Sequence, residues 1–269
     1  MLADLVPDAL WERVAPLLPP APERRRRYPG RLRVPDRTAL AGVLYVLRTG
    51  VAWRDVPAES VGCSGATAWR RLRDWTEAGV WPRLHAALLA EIRRANLLDL
   101  DDCAVDGSHV RALKRGNLVG PSPVDRARPG SKHHLIVDRH GTPLAVTLTG
   151  GNRHDVTQLQ PLLDAVPPIR GLHGRPRHRP RRLFADRGYD YDKYRRILRG
   201  RGITPKFARR GVAHGSGLGK TRWVVERTFA WLHQFKRQRT RYEIRADLHL
   251  GLLQLACSII CLRKLRTSF

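Results

Sequence analysis

Three carboxylates stand out in the 269-residue sequence: Asp106 in CAVDGSHV, Asp186 in LFADRGYD and Glu226 in TRWVVERTFAWLHQFK. Asp106 and Asp186 each follow a short apolar run, which reads as a β-strand with the acid near its carboxyl end. In an open α/β sheet that edge is where ligand sites are built. Glu226 belongs to a helical stretch. At about 100° per residue, Val225, Phe229 and Leu232 form an apolar stripe, and Arg222, His233 and Arg237 fall in a narrow arc around the acid. Three carboxylates without a converging cysteine or histidine cluster select a hard, oxygen-preferring cation, Mg²⁺ or Mn²⁺. Two such ions about 3.5 to 4 Å apart activate an attacking oxygen and stabilise a leaving oxygen in phosphoryl transfer. Each acid taken alone also has an ordinary reading as a cap, a turn residue or a surface ion pair, and Arg222 with Glu226 fits an i,i+4 pair. Their placement together, at two strand ends and on one helix face, favours a shared site.

The elements that must position these acids begin near Asp101, where the periodicity changes. Cys103, Val105 and the following DGSHVRAL read as a strand carrying Asp106 near its end, HHLIVD and PLAVTLTG as a hairpin around a Gly-containing turn, and 156–165 as a short helix. Strands follow at 182–185 and 203–207, with a helix between them capped by Asp190 and ending near Gly200. Loops at 113–131, 167–180 and 208–221 separate these elements. The Glu226 helix comes next, and an apolar helix at 248–265 must pack on the sheet. The order argues an α/β domain over 99–269, with a mixed central sheet flanked by helices.

Residues 1–98 read as all-α. Leu10, Trp11, Val14, Leu17 and Leu18 have helical spacing, and Asp36 caps a helix that Gly50 ends. A helix after Ser64 buries Trp69, Leu72 and Trp75 and turns Arg70, Arg71 and Arg73 outward, and a last helix spans 81–98. Tight turns and an Arg-studded helix describe a helix-turn-helix type of module whose final helix enters the major groove. A helical bundle with basic solvent faces is the ordinary alternative. The loop with Arg24 to Arg27 is either phosphate-binding or a solvated linker.

Composition decides what such a site acts on. The 50 Lys+Arg against 24 Asp+Glu give +26, and seven of the 50 are Lys, which leaves 43 Arg. Guanidinium groups grip phosphate oxygens through a planar fork. The excess is spread over the whole chain, so the expected partner is nucleic acid, and no basic amphipathic helix points to a membrane surface. Cys63, Cys103, Cys257 and Cys261 lack zinc-site spacing and read as small buried hydrophobes in a reducing compartment. With no signal-like opening and no apolar run of membrane-spanning length, the expected place is the cytoplasm.

Four blocks, GVLYVLRTGVAWRDVP with GCSGATAWRRLRDW, AVDGSHVRA, LFADRGYD and RWVVERTFAWLHQFKR, resemble the DDE transposases of bacterial insertion sequences, most closely family 5 within the broader family 4-like group. The resemblance spans nearly the full length. It implies a ribonuclease H-like catalytic domain that binds its element's terminal repeats, then cleaves and transfers DNA strands with two divalent ions held by Asp106, Asp186 and Glu226. It also implies double-stranded element ends and target DNA as partners, and a homodimer or higher oligomer on DNA. The spacings of 80 and 40 residues between the acids agree in kind. In the Tyr, Arg, Glu, Lys signature around the last acid, Arg222 and Glu226 match, Gly219 holds the tyrosine position and His233 the lysine position. Lys236 and Arg237 lie one turn on, so Arg222, Lys236 and Arg237 join Arg70, Arg71 and Arg73 as the expected DNA contacts. A catalytically degenerate or domesticated relative acting as a DNA-binding regulator, or a ribonuclease H-type nuclease without strand transfer, is the alternative function.

Overall fold

The amino-terminal helices form where an apolar stripe recurs at helical spacing, and they stop where the backbone must leave the helix. The computed structural model describes residues 5–23, 26, 27, 31–211 and 219–267. Arg24 and Arg25 of the expected basic loop, and most of the lead into the Glu226 helix, lie outside these residues. Helix α1 (Asp8–Val14) runs into a short 3₁₀ turn, and α2 (Asp36–Thr49) ends at Gly50 in the left-handed conformation at φ 76°. Asp36 is the first helical residue and not the cap, since the position before it is Pro35. A one-turn α3 (Ala58–Val61) leads to α4 (Gly65–Glu77), which Ser64 caps: its Oγ accepts the Thr67 N–H at 3.3 Å. Helix α5 (Val80–Arg94) ends four residues before the expected limit.

The sheet strands are β1 (Asp102–Ala112), β2 (Gly120–Pro121), β3 (Pro129–Val137), β4 (Pro143–Gly150), β5 (Arg182–Ala185), β6 (Thr204–Phe207) and β7 (Thr240–Arg241). The main order is β4-β3-β1-β5-β6, antiparallel among the first three and parallel from β1 to β6. This is a ribonuclease H-like arrangement, with α6 (Leu159–Asp164) and α7 (Asp192–Gly200) in the connections and α8 (Gly219–His233) crossing β1, β3 and β5. Asp190 does not cap α7. It is buried and ion-paired with Arg195 at 2.6 Å, and α7 starts two residues later.

One correction and one expected contact concern what holds this frame. Strand β1 does not carry Asp106 near its end. It runs on to Ala112 because β3 pairs with it through Arg111, and on its other side β5 covers residues 102–104 and β7 covers 111 and 112. Residues 105–110 therefore have no strand on that side among the described residues, which leaves a gap in the sheet beside Asp106. The carboxy-terminal α9 (Ala246–Arg266) packs along α5 as well as on β4. Helix α9 is 21 residues long and apolar enough, by length and composition, to cross a membrane, but most of it is buried inside the molecule. One apolar core runs from Val6 to Leu265, with Trp75 and Trp81 fully buried edge to face at 6.0 Å. The four cysteines are free and buried, as the sequence suggested.

Candidate active site

Sheet register brings the first two acids together. Ala104 pairs with Phe184 in the parallel ladder, and Asp106 and Asp186 stand two residues further along each strand. Asp186 is still extended at φ −72°, ψ 176°, so the alternation of side chains carries through it. Both carboxylates thus leave the same face of the sheet from neighbouring strands about 4.8 Å apart. Asp186 stands just past the end of β5, as expected. Asp106 stands where the parallel part of the sheet has ended, on a strand that outruns its neighbour.

The third acid approaches on α8, which is fixed by what it buries. Val225 and Leu232 are fully buried and Phe229 nearly so, and Thr228 Oγ1 donates to the Gly141 carbonyl at 2.8 Å. Glu226 projects from the exposed side, where its Oε1 accepts from Arg222 at 2.9 Å. Burial is the main cause that raises Asp106 from the ordinary carboxyl range to about 6. The Gly107 N–H, at 2.8 Å from Asp106 Oδ1, and the Arg222 charge oppose that rise, while the charges of Asp186 and Glu226 add to it. The three acids therefore act on one another across a common space.

The donor set suits a hard divalent cation. All candidate ligand atoms are oxygens, and Asp186 Oδ1 is buried without a hydrogen-bond partner. Gly188 keeps the space beside it clear, since a Cβ there would stand 2.9 Å from that oxygen. Glu226 is engaged by Arg222, and among the described residues no three His, Cys, Asp or Glu side chains meet as a closed ligand group. The two aspartates share a sheet face, and Glu226 is ion-paired with Arg222 on the exposed side of α8.

The expected DNA contacts divide into surface and core. Arg70 and Lys236 are exposed, and Arg73 is partly exposed beside Asp74 at 2.8 Å. Two expectations need correction. Arg71 turns inward to Asp36 at 3.1 Å, with its side chain 13% exposed. Arg237 is buried: it binds Glu243 at 2.7 Å and donates to the Val51 carbonyl at 2.9 Å, so it joins α8's end to the helical module and does not reach the surface. His233 is half-buried, with Nε2 unpartnered, and burial lowers its pKa. With its pKa lowered, the ring is mostly neutral at pH 7 and supplies no fixed cation at this position.

Sequence reasoning missed three neighbours. Tyr189 is buried, and burial first, then the charges of Asp106, Asp155 and Asp186, holds its hydroxyl far above the usual range. The signal available was its place in RGYD. Asp155 is held by Lys132 at 2.9 Å and lies against Gly107, where a Cβ would be 2.9 Å from its Oδ1. On α8, Arg227 stacks between Trp223 and Trp231 at 4.3 and 4.7 Å, lining a cavity of about 680 Å³. The i,i+4 spacing of those three residues was readable in the sequence.

Comparison with known proteins adds to this geometry. A family described as a transposase DDE domain matches residues 98–261, and one described as a putative transposase of the IS4/5 family matches residues 6–85. A putative transposase for insertion sequence element IS402 from Burkholderia cepacia is 63% identical over 148 residues, 55% of this chain and 70% of that protein. An uncharacterized 16.2 kDa protein of the same element is 52% identical over 124 residues, covering 46% of this chain and 84% of that protein. Among solved structures, the Mos1 strand transfer complex is 13% identical with a TM-score of 0.31, over 92% of this chain and 81% of that one. The Mos1 mariner paired end complex with Mn is 10% identical with a TM-score of 0.32, over 93% and 80%. Likeness at that level adds nothing to the strand order already described.

Proposed function

This chain belongs to the transposase DDE-domain family of phosphoryl-transfer enzymes, and from that premise we propose that it binds its insertion sequence's terminal repeats and catalyses metal-dependent DNA strand cleavage and strand transfer. The observation that carries this reading is the pair Asp106 and Asp186 on adjacent strands, with a buried, unpartnered Asp186 oxygen and with Glu226 within electrostatic reach of Asp106. Asp106 and Asp186 would hold Mg²⁺ or Mn²⁺, with Glu226 completing a second site. Bound there, the two ions would supply Lewis-acid activation of the attacking oxygen and charge stabilisation of the leaving one.

The chain's own groups do the rest. Arg222 holds Glu226 beside the aspartates until DNA arrives, and then gives a fork to a backbone phosphate. Lys236, exposed past the end of α8, meets a second phosphate. The gap in the sheet between β5 and β7 gives the strand access to the two aspartates. Residues 1–98 act as the DNA-binding module, with Arg70 and Arg73 presented from α4, and 99–269 as the catalytic domain. A homodimer or higher oligomer brings two element ends together.

Incubating the full chain with a pre-cleaved element end, target DNA and Mg²⁺ tests this reading. Joined product is the expected result. Cleavage of an intact end without joining would make the chain a nuclease, and binding without either would make it a regulator.

A further inference from the structure

Between α6 and β5 runs a segment with no part in the site described above. Residues 168–182, PIRGLHGRPRHRPRR, hold six arginines, two histidines and no acid. Arg175, Arg177, Arg179 and Arg181 alternate with Pro176, His178 and Pro180. In an extended run that alternation sends the guanidinium groups from one side of the chain, about 6.7 Å apart. We propose that this row is a DNA-binding surface of its own, which holds backbone phosphates of a duplex stretch other than the one at the three acids. The inference rests on the DNA-binding reading above and adds a second place where the duplex is held.

Charge carries the assignment. Arg170, Arg175, Arg179 and Arg181 are exposed, and none of the four has an acid within ion-pair distance among the described residues. The segment's other two arginines are matched, Arg182 by Asp102 and Arg177 by Asp101 at 2.9 Å. Both side chains of the Arg177 pair are 46% exposed, so exchanging Asp101 for a phosphate costs little. Asp164, which shares a small cavity with His178 and Arg179, is taken by Arg201 at 2.5 Å. The excess is therefore not cancelled by neighbours. Guanidinium groups at a regular spacing suit a regular polyanion, and the phosphodiester backbone of DNA is the one on which a transposase acts.

The backbone under the row is held at both ends. Ile169 and Arg177 exchange two backbone hydrogen bonds, at 2.9 and 3.0 Å, which closes residues 170–176 into a lobe that turns at Gly174, φ 79°. From α5, Arg93 donates to the Ile169 carbonyl and, at 3.4 Å, to the Arg175 carbonyl. At the other end, the Arg181 and Arg182 N–H groups donate to the Leu100 and Asp101 carbonyls at 3.2 and 2.8 Å. Pro180 is buried while Arg179 and Arg181 on either side of it are exposed, so the alternation in the sequence is realised there. The row ends where β5 begins, and four residues of strand, roughly 13 Å, separate Arg182 from Asp186. Phosphates held on the row need neither the acids nor their metal.

The test is fluorescence anisotropy of the full chain, in EDTA, on a labelled duplex of about 30 base pairs over a salt series. The row variant carries Arg175→Gln, Arg179→Gln and Arg181→Gln. A control with the same change of charge carries Lys114→Gln, Lys193→Gln and Arg196→Gln, all three exposed and outside the row. A third variant, Arg175→Lys with Arg179→Lys and Arg181→Lys, keeps the charge, and circular dichroism checks that each variant is folded. Loss of three phosphate contacts makes the slope of log affinity against log salt shallower by roughly 2.7. The expected result is that change, with at least a tenfold drop in affinity, for the row glutamines alone, while the row lysines keep the parent slope. Equal losses from the row and control glutamines, an unchanged slope in the row glutamines, or a loss of slope in the row lysines as well would overturn the row and leave the proposed function standing. Failure of the parent chain to bind any duplex would overturn both.

Discussion

Asp106 is the residue whose surroundings make the sharpest statement about pH. Its carboxyl is raised to about 6 by burial and by its acidic neighbours, above its value in the unfolded chain. The metal-free folded protein thus binds that proton more tightly than the unfolded one. The associated stability is complete below about pH 4 and is lost as pH rises through about 6. A rise of about two units corresponds to roughly 3 kcal/mol. Urea unfolding in EDTA at about pH 4.5 and 7.5 should show the chain losing stability relative to Asp106→Asn at the higher pH, by up to roughly that amount. A constant difference between the two proteins would mean the carboxyl is not so perturbed. At this scale Asp186 was legible and Asp106 only half so. LFAD ends an apolar run at a turn, whereas DGSHVRAL was readable as strand but did not show that Asp106 sits well inside it, where β3's hydrogen bonds carry β1 on to Ala112. Arg237 was not legible at all, because a basic residue in a basic segment gives no sign that Glu243, six residues on, will be buried with it.

Among the elements, α8 carries both the catalytic candidate and the junction. Its apolar stripe of Val225, Phe229 and Leu232 was readable from spacing alone, and the structure buries all three. The segment after the helix was not readable in this way, since QRTRYEIRADL has the look of polar surface yet contains buried Arg241 and Glu243. Arg241 is satisfied there by backbone carbonyls of Asn117, Leu118, Glu243 and Ile244, partners that no local pattern reveals. Truncating Arg237→Ala strands the Glu243 carboxylate in the interior. Breaking a buried pair in this way costs about 3–5 kcal/mol. Urea unfolding should show a loss of that order for Arg237→Ala and almost none for Lys236→Ala, because Lys236 is exposed. A loss of stability below about 1 kcal/mol for Arg237→Ala would place Arg237 outside the core.

Over the whole molecule, the fold class was legible because the sheet and helix periods differ so clearly, but the way the halves meet was not. Helix α9 closes a core shared with α5, and this long-range packing has no signature in either segment. A chain starting at residue 99 would leave α9 without α5 and expose a large apolar face. Size-exclusion chromatography should find such a fragment aggregated, while the full chain elutes as a folded species. A soluble, folded fragment would show that the catalytic half holds its core alone. The three acids were read from local pattern alone. The most direct test of their role is cleavage of a labelled element end in Mg²⁺ by Asp186→Ala beside the parent chain, with binding measured on the same duplex. Loss of cleavage with binding largely retained is the expected result. Metal-dependent cleavage that persists in Asp186→Ala would contradict the assignment of this site.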